Sequence, residues 1–173
     1  MIFNKRVRLF KKVKLKDVFK KTIQKLNDKE YRKVLGRFNK EFKFKPSMTE
    51  FPSYEAPSPI ITYDTSHVDL IEVEMSDEDY EKIVLAITKT MQKNENIYLL
   101  DWQHECFKVN QLELDDLSFF IFPDGDYSFI VNENFTWGYL GHPWEETITV
   151  FGDLVYEIVK CKPQIFTKIL RQG

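Results

Sequence analysis

Between Asp101 and Gly152 the segments DWQHECF, FPDGDYSF and GHPWEETITVFG follow one another, and they hold all three Trp and two of the three His of the chain. Four side chains in this stretch are of types that do chemistry: His104, Cys106, His142 and Glu145. A thiol enzyme would need Cys106 activated by an imidazole, with a carboxylate orienting that imidazole. His104 lies two residues from Cys106 and would share its face of a strand, and Asp101 or Glu145 could be the orienting group. Against this stands the tendency of free Cys to be buried. Cys106 sits between Glu105 and Phe107 in a strand-like segment, so an inert core thiol is the expected state.

Two imidazoles and two carboxylates, from His104, Glu105, His142 and Glu145, could also ligate a divalent metal. The spacing does not support it: there is no HExxH pair, and the adjacent His104 and Glu105 would point to opposite faces of a strand. No metal and no cofactor is expected. Acid and base work by Asp124, Asp126, Glu145 and Glu146 is conceivable, yet Asp124 and Asp126 flank a Gly, where Asp belongs for reasons of turn geometry alone. No Gly-rich phosphate loop, GxSxG elbow or dinucleotide fingerprint occurs in a chain with only six Gly. What remains is recognition. Trp102, Trp137 and Trp144, with Tyr127 and Tyr139, are rigid amphipathic side chains of the kind that anchor interfaces, although some of them must fill the layer beneath a helix. The candidate binding set is therefore Asp101, Trp102, His104, Trp137, His142, Trp144 and Glu145.

The residues Asp101-Trp102-Gln103-His104-Glu105-Cys106, the turn Pro123-Asp124-Gly125-Asp126-Tyr127, and Gly141-His142-Pro143-Trp144-Glu145 with Val150-Phe151-Gly152 resemble a bacterial family known as domain of unknown function 2716. The resemblance covers roughly residues 60 to 160. It implies a small cytoplasmic bacterial protein, and it implies no activity, because none is assigned to that family.

The elements that must position these residues follow from periodicity. Leu15, Val18, Phe19, Ile23 and Leu26 recur at helical steps, and Tyr31, Val34, Leu35, Phe38 and Phe42 do so again. Two basic amphipathic helices are predicted, the second opened by Asn27 with Glu30 or by Asp28. Lys45 to Pro59 holds four prolines and reads as an extended connector, with residues 1–45 a basic helical segment packed on a main domain of residues 46–173. His67 to Met75 alternates as a half-buried strand would. Ser76 and Asp79 then open a helix whose buried stripe is Tyr80, Ile83, Val84, Ile87 and Met91. Strands are predicted at Ile97 to Leu100, Cys106 to Val109, Leu117 to Phe122, Tyr127 to Val131, Phe135 to Leu140 and Thr147 to Phe151, forming a meander. The tail from Asp153 to Leu170 reads as two short helices on either side of Cys161 and Pro163. The fold class is α+β: an antiparallel sheet meander packed against helices.

At 173 residues, 43 % hydrophobic and 15 % aromatic, the chain can bury a substantial core. It shows no apolar run long enough for a membrane span and no secretory leader, and its two Cys lack CxxC spacing, so a cytoplasmic protein away from membranes is expected. The net charge of −2 conceals an asymmetry. Residues 1–45 carry 17 Lys and Arg against 4 Asp and Glu, whereas the remainder carries 8 against 23. A basic arm can contact nucleic acid, but these cations alternate with apolar positions that want a core, so nucleic acid is not the expected partner. The expected function is a non-enzymatic protein-binding module, immunity-like, whose acidic body takes a basic protein partner. The alternative is an enzyme with a His/Cys/Glu site around residues 101–106 and 142–145.

Overall fold

The computed structural model describes residues 23–45, 47, 49, 53–67, 77–110, 120–121 and 125–173. Among these, eight strands form one fully antiparallel sheet in the order β1-β4-β3-β5-β6-β7-β2-β8. The strands are β1 (Ile23–Lys25), β2 (Ile60–Asp64), β3 (Ile97–Asp101), β4 (Phe107–Val109), β5 (Ser128–Asn132), β6 (Gly138–His142), β7 (Thr147–Phe151) and β8 (Ile169–Gln172). Three helices accompany them: α1 (Asp28–Glu41), α2 (Asp77–Thr90) and α3 (Leu154–Cys161). The expected α+β class with an antiparallel sheet is present, and β5, β6 and β7 are its consecutive meander.

The sheet is covered on both faces, so its central strands are buried throughout instead of alternating with solvent. One face packs Leu99, Ile130, Tyr139, Ile148 and Val150 against Ile83, Val84 and Ile87 of α2 and Leu154 and Ile158 of α3. The α2 stripe lies where its periodicity puts it, with Tyr80 and Met91 partly buried at its ends. The expected cap Ser76 lies outside the described residues, as do all but His67 of the strand expected at His67 to Met75, most of Leu117 to Phe122, and the Pro123 and Asp124 part of the turn; His67 itself is in a turn. Asp79 is buried and its carboxylate accepts the Gln164 amide at 2.6 Å, which ties the loop after α3 to the start of α2.

The other face carries α1. Asn27 is its cap: its Oδ1 accepts the amides of Lys29 and Glu30, while Glu30 Oε2 accepts the Asn27 amide, each at 3.1 Å. From α1, Val34 and Phe38 insert between Phe42, Phe44, Phe129, Val131 and Leu140. The described part of the basic segment is held down by polar contacts as well, through Lys25 with Glu105, Lys43 with Glu55, and Arg37 donating to the carbonyls of Glu133 and Asn134.

Four elements differ from the sequence expectation. The helix predicted over Leu15 to Leu26 lies largely outside the described residues, and where it enters them, Ile23 to Lys25 is β1, paired with β4. An N-cap residue is extended, here at φ −74° and ψ 167° for Asn27, so the chain must enter α1 in a β-like conformation that can extend the sheet edge. Past Pro59 the chain forms β2, an interior strand between β7 and β8 that the sequence expectation left out, with Ile61 and Tyr63 turned into the core beneath α2 and α3 and Ile60 and Thr62 on the opposite face. In addition, α3 ends at a left-handed Lys162 before Pro163, and in place of the expected second helix a turn and irregular backbone lead into β8 along β2. The strand expected at Phe135 to Leu140 is β6, displaced toward the C-terminus because Phe135 and Thr136 belong to the turn stabilised by Asn132.

Candidate functional site

The turn between β6 and β7, residues 143–146, is built by its own polar groups. His142 ends β6 opposite Thr147. Its Nδ1 accepts the Glu145 amide at 3.1 Å, which leaves the ring proton on Nε2, 3.4 Å from the Tyr127 hydroxyl. Glu145 folds back so that Oε2 accepts Thr147 Oγ1 at 3.0 Å, and Glu146 takes a left-handed φ of 52° while its carbonyl accepts both the amide and hydroxyl of Thr65. Arg171 on β8 then closes a two-pronged ion pair on Glu145, with both N···O distances 2.6 Å. Arg171 holds the Glu145 carboxyl below its ordinary range, aided by Thr147 and opposed by partial burial. The pair therefore stabilises the fold fully above the ordinary Glu range, and that contribution is lost as pH falls through the depressed value.

This turn forms one wall of an open cleft of about 770 Å³. Tyr54, Ala56 and Ile60 form the facing wall, and Thr62 and Thr149, register partners on β2 and β7, lie at its floor. The two threonine hydroxyls bond at 2.8 Å, and the Tyr54 hydroxyl donates to Thr149 Oγ1 at 3.2 Å and the Leu140 carbonyl at 3.3 Å. Burial pushes the Tyr54 phenol well above its ordinary range, so it stays neutral. Trp144 stands over the cleft at 39 % exposure. The site thus offers aromatic faces, hydroxyls and one ion pair at its rim.

The sequence candidates divide into three groups. His142, Trp144 and Glu145 meet in the cleft. Asp101 ends β3, and Trp102 and His104 lie in the loop from there to β4, which Asp101 organises by accepting the amides of Gln103 and His104 on Oδ1 at 2.8 and 2.9 Å. His104 is exposed, with Nδ1 3.1 Å from Asp101 Oδ1 and 3.4 Å from Asp126 Oδ2. These three donor atoms lie within 4.8 Å of one another and are the set among the described residues that could hold a metal; Glu105, His142 and Glu145 are not part of it. Tyr127 links this loop to the cleft, its ring lying edge-on to Trp102 at 6.2 Å, His142 at 4.8 Å and Trp144 at 6.1 Å.

Cys106 and Trp137 lie elsewhere. Trp137 is buried on the α2 and α3 face of the sheet. Cys106 is buried on the α1 face, where its thiol donates to the Asp101 carbonyl at 3.2 Å and accepts the Asp101 amide at 3.3 Å. Burial pushes this thiol up to about 11, far from the thiolate a nucleophile needs. The expected result with a thiol reagent near neutral pH is slow native labelling of Cys106 that becomes fast on unfolding and is unchanged by His104→Ala. Fast labelling that collapses in that variant would place a nucleophile in this loop. Tyr54, Thr62, Thr149 and Arg171 carried no signal in sequence, since they reach the cleft from four separate elements. Tyr127 was named in sequence among the interface aromatics but stood outside the binding set, and its place between the two regions comes from the fold.

The uncharacterized protein YxiI of Bacillus subtilis (strain 168) is 40 % identical to this chain over 79 residues, which are 42 % of this chain and 49 % of YxiI. The chain thus spans about half the length of this curated relative. No solved structure matches it significantly. Residues 25–155 match the family described as protein of unknown function (DUF2716), a span that takes in α1, α2, β2 to β7, the Asp101 loop and the His142 turn, with Arg171 beyond it. By that match the chain belongs to the bacterial DUF2716 family.

Proposed function

We propose that this chain is a non-enzymatic, cytoplasmic protein-binding module that takes a basic protein partner at the cleft of Tyr54, His142, Trp144 and Glu145, in the way that small immunity proteins mask a toxin. The observation that carries this reading is the placement of Trp144, a large aromatic left exposed beside a carboxylate over a cleft with a hydroxyl floor. Exposed Trp side chains with a polar surround are the common energetic centres of interfaces. A Lys or Arg of the partner would stack on that indole with Glu145 alongside. The acidic balance of residues 46–173, eight cations against 23 anions, would draw such a partner in. The alternative enzyme would join His104, Cys106, His142 and Glu145. It is disfavoured because the Cys106 thiol is locked against the Asp101 backbone and the His142 Nδ1 is committed to the Glu145 amide.

Fluorescence anisotropy with labelled Arg- and Lys-rich peptides, and acidic peptides as comparators, tests the proposal. Binding of the basic peptides alone is expected, weakening with salt and falling about tenfold or more in Trp144→Ala, as for an interface centre. Equal binding of both peptide classes, no binding, or binding indifferent to Trp144→Ala would overturn it.

A further inference from the structure

We propose that Asp101, His104 and Asp126 form a mononuclear site for a divalent cation of the zinc type, separate from the cleft. A tetrahedral ion with bonds of about 2.0 to 2.2 Å holds its ligand atoms about 3.3 Å apart. His104 Nδ1 lies 3.1 Å from Asp101 Oδ1 and 3.4 Å from Asp126 Oδ2, so two of the three edges bracket that length, and all three donor atoms lie within 4.8 Å of one another. One imidazole nitrogen and two carboxylate oxygens are a donor set that zinc and its neighbours accept, and the exposure of His104 leaves the remaining position open to water or a ligand.

The two carboxylates are aimed by groups outside the three donor side chains. Asp126 Oδ1 accepts Trp102 Nε1 at 3.1 Å and Gln103 Nε2 at 2.7 Å, which leaves Oδ2 turned to His104. Asp101 Oδ1 is aimed by the Gln103 and His104 amides. Such outer hydrogen bonds fix the direction of metal ligands. The donors also come from two separate stretches, the end of β3 with the loop after it and the residues entering β5, so their convergence is a product of the fold and not of one turn. An ion there would staple these two stretches beside Trp102 and Tyr127.

Isothermal titration of the untagged full chain with zinc, and visible spectroscopy with cobalt as a substitute, test this. One ion per chain is expected, with tetrahedral cobalt bands and a rise in melting temperature on loading. His104→Ala should weaken zinc at least about tenfold, and so should Asp126→Asn, which keeps the acceptor for Trp102 and Gln103 while removing the charge. His67→Ala and Cys161→Ser should leave the affinity unchanged. Circular dichroism confirms that the variants fold, which the exposure of His104 favours. The absence of zinc binding to the folded chain, or an affinity that survives His104→Ala and Asp126→Asn, would overturn the site and show the three groups to be an ion pair only. Peptide binding at the cleft is read separately, so either proposal can fail alone.

Discussion

Replacing Phe38 by Ala will destabilise the protein by about 3 to 5 kcal/mol, the cost of removing a fully buried aromatic ring from a site that cannot close around the void. Phe38 is fully buried and is the point where α1 meets the sheet. Its ring stacks on Phe42 at 4.5 Å and on Phe129 at 4.6 Å, and meets Phe44 and Phe135 edge-on at 5.9 and 6.0 Å. These partners belong to α1's own end, to β5 and to the β5–β6 turn, so collapse toward the cavity would have to move the sheet. Urea denaturation should show the loss as a lower midpoint with the slope retained. A change below about 1 kcal/mol would mean that α1 is peripheral to the fold.

Gly152→Ala is expected to be at least as damaging, for a different reason. Gly152 follows β7 with φ +65°, and a Cβ there would lie 2.1 Å from the Thr136 carbonyl oxygen and 2.9 Å from Trp137 Cα. Left-handed backbone by itself is tolerated in this fold, since Phe135, Glu146 and Lys162 adopt it. It costs about 1 to 2 kcal/mol for a residue with a side chain. Gly125, at φ +78° with nothing within 4 Å of its added Cβ, isolates that cost. Gly125→Ala should therefore lose only this amount, while Gly152→Ala must also push the backbone entering β6 away from β7. Thermal melts of the two variants decide the matter, and equal, small losses would show that the contact at Thr136 relaxes freely.

What the residue order determines is what depends on near neighbours. The α2 stripe of Ile83, Val84 and Ile87 was legible because a helix repeats within a few residues and its burial follows from that repeat. The Asn27 and Glu30 cap was legible because its three hydrogen bonds close within one turn, and β3, β5 and β7 were legible as apolar runs bounded by turn residues. His142, Trp144 and Glu145 could be grouped because one tight turn holds them.

Elements completed by distant partners were not legible. β1 and β8 are three and four residues long and exist because β4 and β2 offer backbone groups to pair with; β8 displaced the helix that the local spacing favoured. β2, with Thr62 and Asp64 among its five residues, is likewise an interior strand because β7 and β8 pair with it on either side. The same holds for the site. Trp137 and Trp144 are alike in type, yet register sends one into the core beneath α2 and α3 while the turn leaves the other exposed. Likewise His104 and Cys106 were expected to share a face, but the Asp101 turn breaks the strand between them, turning the imidazole toward two carboxylates and the thiol into the core. Local hydrogen bonds and periodicity are encoded within a few residues. The direction in which a side chain faces is decided by pairing and covering, which only the assembled sheet supplies.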